Sequence, residues 1–115
     1  MDFMLIMLSD RDAGANPEIM AEMGQFAGGL AGQGKLKGGS PLKPEAEGAR
    51  IRGKNMVPIV SDGPFLETKE VIGGYFLIEC DDYAEALEIA KRCPHALHGI
   101  GPVEIREIIP MGPPS

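Results

Sequence analysis

The sequence has no excess of positive charge. Its 115 residues carry 11 lysines and arginines against 17 aspartates and glutamates, a formal net charge of −6. Gripping a phosphate backbone needs a basic face, so no direct contact with nucleic acid is expected. The few basic residues gather between Lys35 and Lys54 and read as a solvated face. Cysteine is scarce: Cys80 and Cys93 form neither a CxxC pair nor a zinc-type spacing, so no metal and no cofactor are expected. Both sit where a small buried thiol packs well, and a reduced, cytoplasmic protein is the simpler expectation. The apolar opening, Met1 to Leu8, is too short to span a membrane and lacks a basic leader. Neither a membrane segment nor a signal peptide is expected. A nucleophile–base–acid set is missing as well. Gly28-Gly29 and Gly38-Gly39 are no phosphate cradles, because neither pair follows a strand and opens a helix.

What is present is enough for one core. A chain of this length forms one domain, here read as residues 1–110 with a flexible proline-rich tail at 111–115. Phe3 to Leu8 is a continuous apolar run, the pattern of a strand buried on both faces. Asn16-Pro17-Glu18 is a helix start: a capping side chain, a proline at the first position, and a carboxylate at the positive end. Ile19, Met23, Phe26, Ala27 and Leu30 then define one apolar face. Gly28 and Gly29 weaken the end of that helix, and close packing on another backbone would explain them. Met1, Met4, Met7, Met20 and Met23 read as core filling. Lys35 to Leu42 is a short strand. Gly48 to Val60 is a hairpin bent at Gly53-Lys54-Asn55, with Pro58 marking an edge. Tyr75 to Ile78 is a second buried strand. Asp82 with Glu85 fits a capping box, and Tyr83, Ala86, Leu87 and Ala90 face inward along the helix it opens. His95 to Pro102 is a loop, and Val103 to Ile109 a last strand. The order is βαβ-βαβ with an inserted hairpin, a ferredoxin-like α+β protomer. Two helices cover one face of such a sheet. The other face calls for a partner, and a homodimer through that face is expected.

The chain is organised around the stretch from Ser61 to Glu70. Asp62 can fold back onto backbone amides, Gly63 gives freedom before a proline, and Pro64 stiffens the turn. Phe65 anchors the loop, and Glu67, Lys69 and Glu70 bring charge to it. Asp62 is therefore the candidate catalytic carboxylate, a general base or an orienting group, with a turn cap as the structural alternative. Phe65, Glu67, Lys69 and Arg106 are candidate ligand-binding residues. Arg106 carries a fork suited to carboxylates, although a structural pair with Glu104 across the sheet is the preferred reading. His95 and His98 lack a third ligand and read as surface histidines.

Asp62-Gly63-Pro64-Phe65, then Thr68-Lys69-Glu70 and Gly73-Gly74-Tyr75-Phe76, the AEALEIA helix ended by Cys93-Pro94, and Val103-Glu104-Ile105-Arg106 form one combination. It resembles the DGPF-domain branch of the YCII-related family over nearly the whole chain. The resemblance implies a dimeric α+β barrel of ferredoxin-like protomers. It implies no settled activity. The rigid loop with Asp62, Glu67 and Lys69 suggests a small enzyme or small-molecule-binding protein with a cleft between the sheet and that loop, and the sigma-factor fusions of relatives suggest the alternative, a non-catalytic interaction module linked to transcription. The helix from Pro17 to Gly32 contains no histidine, so the histidine typical of YCII proteins is absent there.

Overall fold

The computed structural model describes residues 1–10, 16–65 and 69–112. The elements run β1 (Asp2–Asp10), α1 (Pro17–Gly32), β2 (Leu36–Pro41), a 3-10 turn (Glu45–Glu47), β3 (Ala49–Lys54), β4 (Val57–Asp62), β5 (Glu70–Glu79), α2 (Tyr83–Lys91), α3 (Pro94–Leu97) and β6 (Val103–Glu107). Four strands form one antiparallel sheet in the order β2-β5-β1-β6. Crossover helices join strands that are not neighbours, which is the split βαβ arrangement expected for a ferredoxin-like α+β protomer. The inserted hairpin, β3 with β4, forms a separate two-stranded sheet.

Local chemistry sets the helix starts. The Asn16 side chain accepts from the amides of Glu18 (3.0 Å) and Ile19 (3.3 Å), and Pro17 follows where its missing N–H costs nothing. Asp82 accepts from the Glu85 amide at 2.9 Å. Glu85 does not close a reciprocal box; its carboxylate reaches Lys35 at 2.8 Å. That ion pair holds Glu85 below the usual carboxylate range and raises Lys35.

The core lies between the helices and one sheet face. Phe3, Leu5, Met7, Phe76 and Ile78 meet Leu30 of α1 and Ala86, Ile89 and Ala90 of α2. Burial alternates along β1, so the Phe3–Leu8 run is not buried on both faces as its composition suggested. Phe3, Leu5 and Met7 point under the helices. Met4, Ile6 and Leu8 line the opposite, uncovered face and are only half-buried. The same holds for β5, where Tyr75 and Leu77 stand on the open side.

Several local expectations are corrected. The inner face of α2 is Ala86, Ile89 and Ala90 rather than a face containing Tyr83, which is exposed and touches Phe3 only edgewise. Gly28 and Gly29 pack on nothing: a methyl group at either would meet no atom within 4 Å. Of the methionines read as core, Met7 is buried, whereas Met1 and Met20 are exposed. The hairpin bends at Asn55-Met56, both with positive φ (51° and 64°), not at Gly53. Two central residues of that hand give a turn whose twist matches the flanking strands. Residues 94–97 are a helical turn, not part of a loop. Of the tail, residues 113–115 lie outside the described residues.

The molecule is broad and thin, 47 × 45 × 19 Å, with a radius of gyration of 16.2 Å. A compact chain of this length would have about 13 Å. The excess comes from the β3–β4 arm, whose strands pair with each other and make little contact with any other described element. None of the described helices is long and apolar enough to cross a membrane.

Candidate functional site: the acidic turn and the open sheet face

The turn at residues 62–65 forms the root of the arm. Asp62 ends β4 opposite Ala49, so its backbone belongs to the two-stranded sheet. The Gly63 amide donates to the Gly48 carbonyl at 3.0 Å. Gly63 also lies against the 3-10 turn so closely that a methyl group there would stand 2.1 Å from the Glu45 carbonyl oxygen. This close approach, and no positive φ, is why the position is glycine. The Gly63–Pro64 peptide is cis. The Arg50 guanidinium lies 4.0 Å from the centre of the Phe65 ring, so Phe65 anchors the turn to β3 by a cation–π contact.

Asp62 is exposed. Among the described residues no group donates a hydrogen bond to its carboxylate, so the turn-capping alternative receives no support there. Lys69 is exposed, immediately before β5. Glu67 lies outside the described residues.

Arg106 sits elsewhere. It projects from β6 on the open sheet face, 3.3 Å from Glu104 two residues along the same strand. The expected pair is thus present, along the strand rather than across the sheet. Pairing registers place Arg106 in a row with Met4, Leu77 and Gly38, and Glu104 in a row with Ile6, Tyr75 and Ser40. Within one protomer Arg106 is at the corner of the sheet far from Lys69: seven residues separate Leu77 from Glu70 along β5, roughly 24 Å at the usual strand rise. The protomer therefore brings Asp62 and Phe65 together but does not add Arg106 to them.

The open face is a built surface in its own right. Its floor is Met4, Ile6 and Leu77, bordered by the Tyr75 phenol, the Ser40 hydroxyl and the Glu104–Arg106 pair. Sequence reading missed Tyr75 and Glu104 as parts of such a surface. The usable signal was the period-2 parity that puts them with Arg106 and Leu77. A shallow groove of ≈ 280 Å³ lies on the other layer, lined by Gln25, Phe26, Gly29, Leu30, Gln33 and Arg92. It is open and holds no convergent set of titratable groups, so the sheet face is the stronger candidate.

The two histidines are structural contacts. His95 Nε2 is 2.7 Å from the Leu8 carbonyl oxygen, tying α3 to the end of β1, and His98 pairs with Glu22 of α1. Among the described residues no cluster of three or more potential metal ligands exists. Cys80 and Cys93 are free and buried, and burial pushes both thiols up from their ordinary pKa.

The fold places this chain among ferredoxin-like α+β proteins that leave one sheet face uncovered. It belongs to the YCII-related family: the model of the YCII-related domain matches residues 1–112. An uncharacterised protein of Rhizobium meliloti is 39% identical over 75 residues, 65% of this chain. That match spans about 60% of the relative's length. Among solved structures, 5-chloro-2-hydroxyhydroquinone dehydrochlorinase from Burkholderia phenoliruptrix, in complex with 2,5-dihydroxybenzoquinone, has the same fold. Its TM-score is 0.52 at 12% identity, covering 95% of this chain and 94% of that one.

Proposed function

We propose that this protein is a homodimer, joined through its open sheet faces, that binds a small molecule in the chamber between the two sheets. The observation that carries the reading is the uncovered face: an apolar floor of Met4, Ile6 and Leu77, edged by Tyr75, Ser40 and Glu104–Arg106. An apolar surface with a few placed polar groups is the usual make-up of a ligand site. The chemistry suits a small planar compound bearing hydroxyl or ionised oxygens. A structural neighbour that holds a small quinone supports this by analogy of fold only.

In this reading Arg106 orients an anionic oxygen of the ligand. The Asp62–Phe65 turn, with Glu67 and Lys69, forms the rim. Asp62 acts as the base or orienting carboxylate, and a small enzyme follows if it reaches a ligand proton. Residues 1–110 act as one domain. The reducing cytoplasm is the proposed compartment, with which two unpaired buried thiols agree.

The test is a thermal-shift screen of small phenolic and carboxylate metabolites, run on wild type, Arg106→Met and Asp62→Asn, with mass measured by light scattering. A ligand present at a hundred times its dissociation constant stabilises by about 2.7 kcal/mol. For a chain of this size that is roughly 10 °C. The shift should shrink in both variants. Equal shifts in all three proteins would remove Arg106 and Asp62 from the site. A well-folded monomer at micromolar concentration would refute the chamber itself.

A further inference from the structure

We propose that the groove on the helix layer is a second binding site, separate from the sheet face, and that it takes a small carboxylic acid with an apolar body. The carboxylate lies on Arg92 and the body over Gly29. This site needs neither the dimer nor the chamber proposed above.

One residue opens the groove. Gln25, Gly29 and Gln33 are spaced four apart and form one ridge of α1, with Phe26 and Leu30 on the ridge beside it. Gly29 is a notch between two long side chains: a β-carbon there would meet no atom within 4 Å. Glycine inside a helix costs about 1 kcal/mol against alanine. Neither a positive φ nor a close backbone approach calls for it at this position. The space left by the missing side chain is what it contributes.

Size and floor limit what fits. Eight residues separate Gln25 from Gln33, roughly 12 Å along the helix axis. The groove volume of ≈ 280 Å³ stands near the lower end of small-molecule sites, about 300 Å³. The floor is apolar and held in place: Leu30 is buried in the core, and the Phe26 ring packs on Phe76 with centroids 5.8 Å apart. A medium-chain or aromatic acid matches this length and volume.

The polar groups select an anionic head. The backbone acceptors along the groove are already used. The Gly29 carbonyl accepts from the Gln33 amide at 3.2 Å, and the Leu30 carbonyl from Gln33 at 3.2 Å and Lys35 at 2.9 Å. Arg92 is the opposite case. It is exposed and, among the described residues, makes no ion pair. Glu88, four residues before it on α2, pairs with Lys91 at 2.9 Å, and Glu22 of α1 pairs with His98. The rim therefore offers a guanidinium and two carboxamides that can donate. A single guanidinium fork complements a single carboxylate. An amine would meet uncompensated positive charge.

The experiment titrates the intact chain with octanoate, below its micelle concentration, and follows amide and arginine side-chain N–H signals by NMR. We expect saturable shifts confined to residues 25–34 and 91–93, with the Arg92 Nε–H among them. 1-Octanol has the same body without the charge and should bind at least tenfold more weakly. Arg92→Met should weaken octanoate tenfold or more and leave octanol within threefold. Gly29→Leu fills the notch and should abolish binding of both. Leucine is a good helix former and meets open space there, so the Tm of this variant should equal or exceed that of wild type. Shifts centred on Tyr75, Leu77 and Arg106 would give the acid to the sheet face and overturn the groove site. Unsaturable or scattered shifts, or octanoate binding that survives Gly29→Leu, would overturn it too. Equal affinity for octanoate and octanol would overturn the assignment of the carboxylate to Arg92.

Discussion

Replacing Gly63 with alanine would drive a methyl group to 2.1 Å from the Glu45 carbonyl oxygen, 2.9 Å from its carbon and 3.1 Å from the Ala46 Cα. All three are backbone atoms, so no side chain can swing aside. The 3-10 turn and the acidic turn must part by about 1 Å to reach ordinary contact, which overpacking data put at about 1–3 kcal/mol. The Gly63 amide bond to the Gly48 carbonyl, 3.0 Å in the native protein, stretches beyond useful length. Its loss adds about 0.5–1.5 kcal/mol. The arm root should therefore open more readily by about 2–4 kcal/mol. The body core does not touch this point, so the loss should stay local. Amide exchange in residues 49–54 and 57–62 should rise roughly 30- to 1000-fold. Exchange in β1 and the second half of β5 should hold. Gly53→Ala is the control, because a methyl there meets no atom within 4 Å. Arm exchange within threefold of wild type in Gly63→Ala would refute the close approach. Equal acceleration throughout the sheet would refute the independence of the arm.

Leu5 is fully buried at the centre of the sheet, and Leu5→Ala should cost about 2–5 kcal/mol, a fall in Tm of roughly 8–20 °C by calorimetry. Gly28→Ala faces open space inside α1 and should stabilise by about 0.5–1 kcal/mol in urea titration; destabilisation would mean that a neighbour has been missed. Glu85 is held below the ordinary carboxylate range by its hydrogen bond to Lys35, so its stabilising effect is complete above the unfolded-state pKa and is lost as pH falls through the folded one. Lys35 is raised by the same bond, so its share persists below the unfolded lysine pKa and is lost as pH rises through the folded value. A carboxylate NMR titration should find the Glu85 midpoint below that of a free glutamate, moving up in Lys35→Met.

The elements whose cause is local were legible in the chain. Asn16 and Asp82 cap their helices through amides two or three residues away, which spacing alone reveals. The apolar face of α1 was readable for the same reason. Misreadings occurred where neighbours in space decide. An unbroken run such as Phe3–Leu8 looks the same whether its second face meets helices, a partner or water. Tyr83 was assigned inward by helical period, yet at the first turn of α2 it is exposed, while Ile89, left out of that face, is buried beside Ala86 and Ala90. The hairpin bend was expected at Gly53-Lys54-Asn55, which includes Asn55 but stops one residue short of Met56, the second left-handed position. The candidate site was legible as a turn but not as a place. Only strand register shows that Arg106 shares a face with Tyr75 and stands far from Asp62.

The outermost strands carry a consequence for how this protein can multiply. β2 slips register between Leu36 and Gly38, holds Gly39 at φ 147°, and ends on Pro41. β6 is short and is bracketed by Pro102 and Pro110. Such frayed, proline-stopped margins make poor templates for another strand. Ribbon-like growth, copy beside copy, is therefore discouraged at both borders of the four-stranded sheet.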